Sequence, residues 1–350
     1  NYMTLPKGTT TQSNRGRAVI WMGIIASDHT YGKNIDYIDI QSLGTSKKFG
    51  DLSDTYGLGA GASSSTRGVM IGGSTPGAGT APGGNINIIE YVTLATTSNA
   101  TDFGDLMEAI QQPGSCASDT RGVVAGGHSG GEINRIQYVT IANAPSNASD
   151  FGDLITAQHG VAGLSNQTRG VFCGGTSDGT SMEYITIANT SNATNFGDGS
   201  IDARNKGSCA STTRGIICGG GINTINYITI ASTSNTTDFG DLNWDAQYSS
   251  GASNNTRGIL SRGNNNRDVD YITIATTSNG TDFGDILDRG KTMHAMTSSP
   301  TRVVKGAGGD SNTNGIDYAT IMSPSAFQDF GDLSTSGNSK TGFSNGHGGL

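Results

Sequence analysis

The chain has 350 residues, of which 54 are glycine, 33% are apolar and 14% are charged, with a formal net charge of −8. That acidic balance, with a pI near 5.0, argues against nucleic acid as the main partner, because phosphate binding needs a concentrated basic surface. No apolar run approaches the roughly 18 residues a transmembrane helix requires, so no membrane insertion is expected. The charge content is too low for a solvated disordered chain.

The chain opens at Asn1 with no basic-then-apolar leader, so no secretory signal is expected. From Arg17 onward one pattern returns seven times. It is most legible as Thr66-Arg67-Gly68-Val69-Met70-Ile71-Gly72-Gly73, then Ile89-Glu90-Tyr91-Val92-Thr93-Leu94, then Thr101-Asp102-Phe103-Gly104-Asp105-Leu106. The anchoring arginines are Arg17, Arg67, Arg121, Arg169, Arg214, Arg257 and Arg302, spaced 50, 54, 48, 45, 43 and 45 residues apart. A period of this size signals a repeat architecture.

Four strands are expected in each copy. Strand a is a small-residue stretch before the arginine, such as Ser115-Cys116-Ala117-Ser118. Strand b is the apolar run after it, ending in Gly-Gly. Strand c is an alternating, β-branched stretch bearing Tyr37, Tyr91, Tyr138, Tyr184, Tyr227, Tyr271 or Tyr318. Strand d carries Phe49, Phe103, Phe151, Phe196, Phe239, Phe283 or Phe330 in a Phe-Gly-Asp piece. The Tyr-to-Phe distance is 12 residues in every copy but the third, where it is 13, and Phe to the next Arg is 18 or 19. Arg to Tyr runs from 13 to 24, so the length variation sits between strands b and c.

Four-stranded units with two partly apolar faces need neighbours, and seven of them in a ring make a β-propeller. The expected fold is therefore all-β, a single domain over 1–350, with blades at about 8–55, 56–107, 112–155, 160–200, 205–243, 248–288 and 293–334. The segment 340–350, with Phe343-Ser344-Asn345, fills the slot of an orphan strand a that would close the first blade. The segment from Gly8 to Asn14 competes for that place. Cys116, Cys173, Cys209 and Cys218 fall at repeat-equivalent positions and are expected to be buried free thiols.

The diglycines Gly72-Gly73, Gly126-Gly127, Gly174-Gly175 and Gly219-Gly220, with the seven tyrosines, resemble kelch repeats, although phenylalanine stands where kelch usually has tryptophan. The diglycine is broken in the first, sixth and seventh copies. The phrase at 271–285, Tyr-Ile-Thr-Ile-Ala-Thr-Thr-Ser-Asn-Gly-Thr-Asp-Phe-Gly-Asp, is similar to kelch-like repeats of virion structural proteins from marine bacteriophages, cyanophages in particular. That resemblance implies a propeller that is a virion component, tail fibre or capsid decoration.

The repeat arginines recur with Asp51, Asp105, Asp153, Asp198, Asp241, Asp285 and Asp332, and a repeated Arg–carboxylate ion pair is expected between the a–b turn and the c–d loop. Asn99, Asn147, Asn192, Asn235 and Asn279 open Asn-x-Ser/Thr triplets that fit local turn chemistry better than glycosylation. Binding is expected on the opposite face, from the b–c and d–a connections, through Asp28, His29, Tyr31, Gln111, Gln112, His159, Trp244, Tyr248, Asn264, Asn265 and His294. The five histidines show no metal-ligand spacing, and neither a nucleophile elbow nor a phosphate or dinucleotide loop is present, so no cofactor, metal or catalytic residue is expected.

The expected function is that of a non-catalytic virion structural or attachment protein at the particle surface, present in several copies. Its expected partners are other virion proteins and host cell-surface glycan. A secreted propeller enzyme acting on carbohydrate and a cellular kelch-like protein-interaction module are the alternative readings.

Overall fold

The computed structural model describes residues 16–21, 32–76, 83–203, 206–247, 249–263, 266–290, 295–306, 314–336 and 341–344. They form seven four-stranded antiparallel sheets, with no helix among the described residues. The second blade shows the plan: strand a is Ala60–Ser63, b is Arg67–Ser74, c is Asn85–Thr93 and d is Thr101–Asp105. Each strand a contacts strand a of the next blade, and these contacts close into a circle, so the structure is a seven-bladed β-propeller with strand a innermost.

The circle is completed by the C-terminus. Thr341–Ser344 pairs antiparallel with Arg17–Trp21, with Val19 opposite Phe343, and supplies strand a of the first blade. The competing segment 8–14 lies outside the described residues. Strand a is built of small residues, as in Ala-Gly-Ala-Ser and Gly-Ser-Cys-Ala, because seven backbones converge there. Their hydroxyls cross between blades, with Ser115, Ser165 and Ser253 donating to Gly61 O, Ala117 O and Ala210 O.

Both faces of strands b and c meet a neighbouring blade, which is why b reads as an unbroken apolar run rather than an alternation. The core therefore lies between the sheets. Among the described residues it falls into seven clusters, one at each junction: Val69, Ile71 and Phe103 of blade 2 pack with Val124, Val139 and Ile141 of blade 3. Cys116, Cys173, Cys209 and Cys218 are buried free thiols in these layers, and burial pushes the first three up to about 12.

Strand d is the exposed edge, and only its phenylalanine is buried in the pattern of Thr101–Asp105. Ile89 pairs with Gly104 and Glu90 with Asp102, so Phe103 is the extra residue of a β-bulge, aimed inward. The same shift recurs in all seven blades. The following glycine is held at positive φ in six of the blades, all but Gly50 of blade 1, as at +139° in Gly197, where a Cβ would stand 2.4 Å from the carbonyl of Ser234 in the next blade. This explains Phe-Gly-Asp: six of the bulges hold the glycine at positive φ, and in all seven the neighbouring loop leaves no room for a side chain.

Replacing Gly197 with alanine is expected to cost roughly 2–4 kcal/mol, from backbone strain together with displacement of the adjoining blade. Denaturant unfolding of Gly197→Ala measures this, and a loss below about 0.5 kcal/mol, the level of an ordinary surface change, would contradict the close contact.

Candidate functional site

On the face of the a–b turns and c–d loops, the repeated side chains serve the frame. Each arginine stacks on the tyrosine of its own blade, with Cζ 4.1 Å from the Tyr271 centroid at Arg257 and 4.9 Å from Tyr318 at Arg302. Each tyrosine meets its phenylalanine edge-on, at 5.6 Å for Tyr91 and Phe103. The arginine then donates across the junction to a backbone carbonyl of the next blade: Arg17 to Leu94, Arg67 to Ile141, Arg121 to Ile187, Arg169 to Ile230, Arg214 to Ile274, Arg257 to Ile321 and Arg302 to Ile40. A half-buried cation–π contact contributes about 0.5–2 kcal/mol.

The expected Arg–Asp pair is corrected by this arrangement. Among the described residues, no ion pair joins a repeat arginine to a Phe-Gly-Asp aspartate; Asp51 pairs instead with Lys48 at 2.8 Å, and Arg17 with Asp39 at 3.8 Å. Strand length is the reason. Arg67 sits opposite Thr93, whereas Asp105 closes strand d opposite Ile88, five residues further along strand c and roughly 17 Å away.

What the aspartate contributes is its backbone. The amide N–H groups of Asp51, Asp105, Asp153, Asp198 and Asp241 donate to the side-chain oxygens of Asn99, Asn147, Asn192, Asn235 and Asn279 in the next blade. Their carbonyls accept N–H groups from the same loops, as Asp105 O does from Ala148 N at 2.8 Å. The asparagines were expected to satisfy their own turns, but they reach across the junction instead, because the bulge presents an outward N–H there.

The residue before each tyrosine is a further frame element that the sequence pattern left unnoticed. Asp36, Glu90, Gln137, Glu183, Asn226, Asp270 and Asp317 are all at most 3% exposed. Each holds the end of strand d in the preceding blade: Glu90 accepts from Ser53 N, Gln137 from Met107 N, Asp317 from Leu287 N and Asp36 from Ser334 N. Burial raises the Glu183 and Asp270 carboxyls above their ordinary range, and the N–H groups each accepts act the other way. The signal was a polar residue invariably preceding tyrosine inside an apolar strand. In blade 7, fully buried Lys305 stands opposite Asp317, 3.9 Å away, where the other blades place Ile20, Met70, Val124, Phe172, Ile217 or Leu260.

The opposite face, formed by the b–c and d–a connections, is where the copies differ. Gln111 and Gln112, in the connection from blade 2 to blade 3, and His159, in the connection from blade 3 to blade 4, are linked through the b–c connection of blade 3. Gln111 and His128 exchange backbone hydrogen bonds, and Gln112, at φ +53°, joins Leu58 O to Gly160 N around the inner rim. The His128 and His159 rings meet edge-on at 5.5 Å. His159 Nδ1 lies 3.3 Å from Glu132 Oε1 and 2.9 Å from Thr176 Oγ1, while Ser177 donates to the other Glu132 oxygen.

The Thr176 hydroxyl donates to His159 O, so the contacts are satisfied when Nδ1 carries the imidazole proton. Carboxylate and hydroxyl therefore share one nitrogen. A base that activates a hydroxyl holds its orienting carboxylate on the opposite nitrogen, whereas here Glu132 and Thr176 both meet Nδ1. Beneath the cluster, Gln158 is fully buried, and its amide has no hydrogen-bond partner among the described residues; the same is true of His128 Nδ1. His128, Glu132, Gln158, Thr176 and Ser177 were not read as site residues, although the ring topology places their connections side by side.

Trp244 does not join this cluster. It was expected in a d–a connection, but strand d of blade 5 extends over Thr237–Ala246, because strand c begins early enough for Ile222 to pair with Ala246. There Arg262 lies 6.0 Å over the indole and pairs with Asp268 at 2.8 Å. Asp28, His29, Tyr31, Tyr248, Asn264, Asn265 and His294 lie outside the described residues. No group of His, Cys, Asp and Glu able to hold a metal occurs among the described residues.

Fold and site together define a seven-bladed β-propeller with one face used for inter-blade contacts and one face of unequal polar loops. Comparison with protein-family models and with curated proteins gives no match.

Arg169→Ala is expected to lower stability by about 1–3 kcal/mol, through loss of the Tyr184 stack and the Ile230 carbonyl bond. Asp198→Ala, which removes only a rim carboxylate, is expected to stay within about 0.5 kcal/mol of the parent. Paired denaturant titrations measure both, and equal losses would restore the ion-pair account.

Proposed function

We propose that the chain is a non-catalytic ring that presents its loop face for recognition, as a structural or attachment component on the surface of a bacteriophage particle. Host cell-surface glycan is the ligand of the attachment reading, and other virion proteins are the neighbours. The observation that carries this is the division of labour between the faces. The repeated Arg, Tyr, Asp and Asn groups bridge blade to blade, whereas the non-repeated Gln111, His128, Glu132 and His159 gather on the other side. A rigid scaffold with unequal loops suits recognition without chemistry. The likeness of the 271–285 phrase to marine bacteriophage virion repeats supports the particle setting.

The test is binding of the labelled, folded protein to a glycan array and to candidate host cells. Saturable binding that a loop-face substitution removes is the expected result. A folded ring that binds neither glycans nor cells would contradict the attachment reading.

A further inference from the structure

The junction of blades 3 and 4 departs from the repeat in a way that packing does not explain. Seven residues after the repeat phenylalanine, other blades place Tyr56, Ile110, Ala203 and Ala246, and blade 3 places Gln158. Its side chain lies against Gly175 of blade 4, where a Cβ would meet Oε1 at 2.6 Å. A fully buried amide with no protein partner is unfavourable relative to isoleucine unless something else binds it. His128 Nδ1, close by in the b–c connection, is buried in the same unpartnered condition. Two such groups under one patch of imidazole, carboxylate and hydroxyl are the mark of a polar recognition site.

We propose that this junction is a binding site for a neutral saccharide, held through Glu132, His128, His159 and the Gln158 amide. The inference rests on the glycan-binding reading of the loop face and gives it a location and a ligand class. Neutrality follows from the charges. Among the described residues, the Glu132 carboxylate is contacted by Ser177 and His159, and Lys206 in the neighbouring blade gives its ammonium to Gly179 O rather than to Glu132. Sulfate, uronate or sialate would meet repulsion from Glu132 there. Vicinal hydroxyls instead offer donors to the carboxylate and acceptors to the imidazole and amide N–H groups.

The experiment is calorimetric titration of the whole chain with maltotriose, mannotriose and chitotriose as neutral probes, and sialyllactose and trigalacturonate as acidic ones. The parent, His159→Ala, Glu132→Gln and the rim control Asp198→Ala are compared at matched melting temperature. Binding of a neutral probe, weakened at least tenfold by His159→Ala and Glu132→Gln and unchanged by Asp198→Ala, is expected. Should His159→Ala fold poorly, imidazole NMR signals of the parent replace it, and the His128 and His159 resonances are expected to shift on addition of the neutral probe. A neutral probe bound equally by all variants, or without those shifts, overturns the site and leaves the glycan reading standing. Preference for an acidic probe overturns the ligand class. No binding of any probe, together with a blank glycan array, overturns both.

Discussion

The structure depends on a hydrogen-bonded latch between successive blades. The bulge in strand d turns a backbone N–H and carbonyl outward, and the c–d loop of the next blade grips both, as Asn147 and Ala148 grip Asp105. A single blade would expose two apolar faces; the latch, the arginine bond and the buried polar residue before each tyrosine all join a blade to the one after it. A unit whose contacts run to its neighbour gains its stability only when the circle is complete, and the C-terminal strand beside Arg17–Trp21 completes it.

This arrangement determines which residues are free to do anything else. Arginine, tyrosine, phenylalanine and the aspartate backbone are committed at every junction, and the glycine between them is committed by the space it must not fill. Beyond the first residues after strand d, held by the buried polar group of the next blade, the b–c and d–a connections do not follow the repeat. Their lengths and polar content vary from blade to blade, and strand d runs longer in blades 5 and 6, over Thr237–Ala246 and Thr281–Gly290. Recognition through non-repeated loops on a repeated frame is the consequence.

The ring was legible in the sequence because its spacings are imposed by contacts that recur: twelve residues from tyrosine to phenylalanine in six of the copies measures one hairpin and its bulge. The closing strand was visible as an orphan, but pattern alone could not choose between the two termini. The partner of the arginine was misassigned because adjacency on one face was inferred without counting the length of strand d. Inter-blade bonds, such as Asn192 to Asp153, stayed hidden since nothing in one copy shows what the next will place beside it. The loop cluster was half seen: His159 and Gln111 stood out as polar residues, while Glu132 and His128 acquire meaning only when two blades meet.

The central claim is that the latch holds the ring, and residue-resolved native-state hydrogen exchange tests it most directly. Five junctions carry the asparagine; at the other two the corresponding residues are Ala326 and Thr45, which face strand d of blades 6 and 7. The account predicts strong protection of the Asp51, Asp105, Asp153, Asp198 and Asp241 amides, and markedly faster exchange at Asp285 and Asp332. Equal exchange at all seven would contradict it.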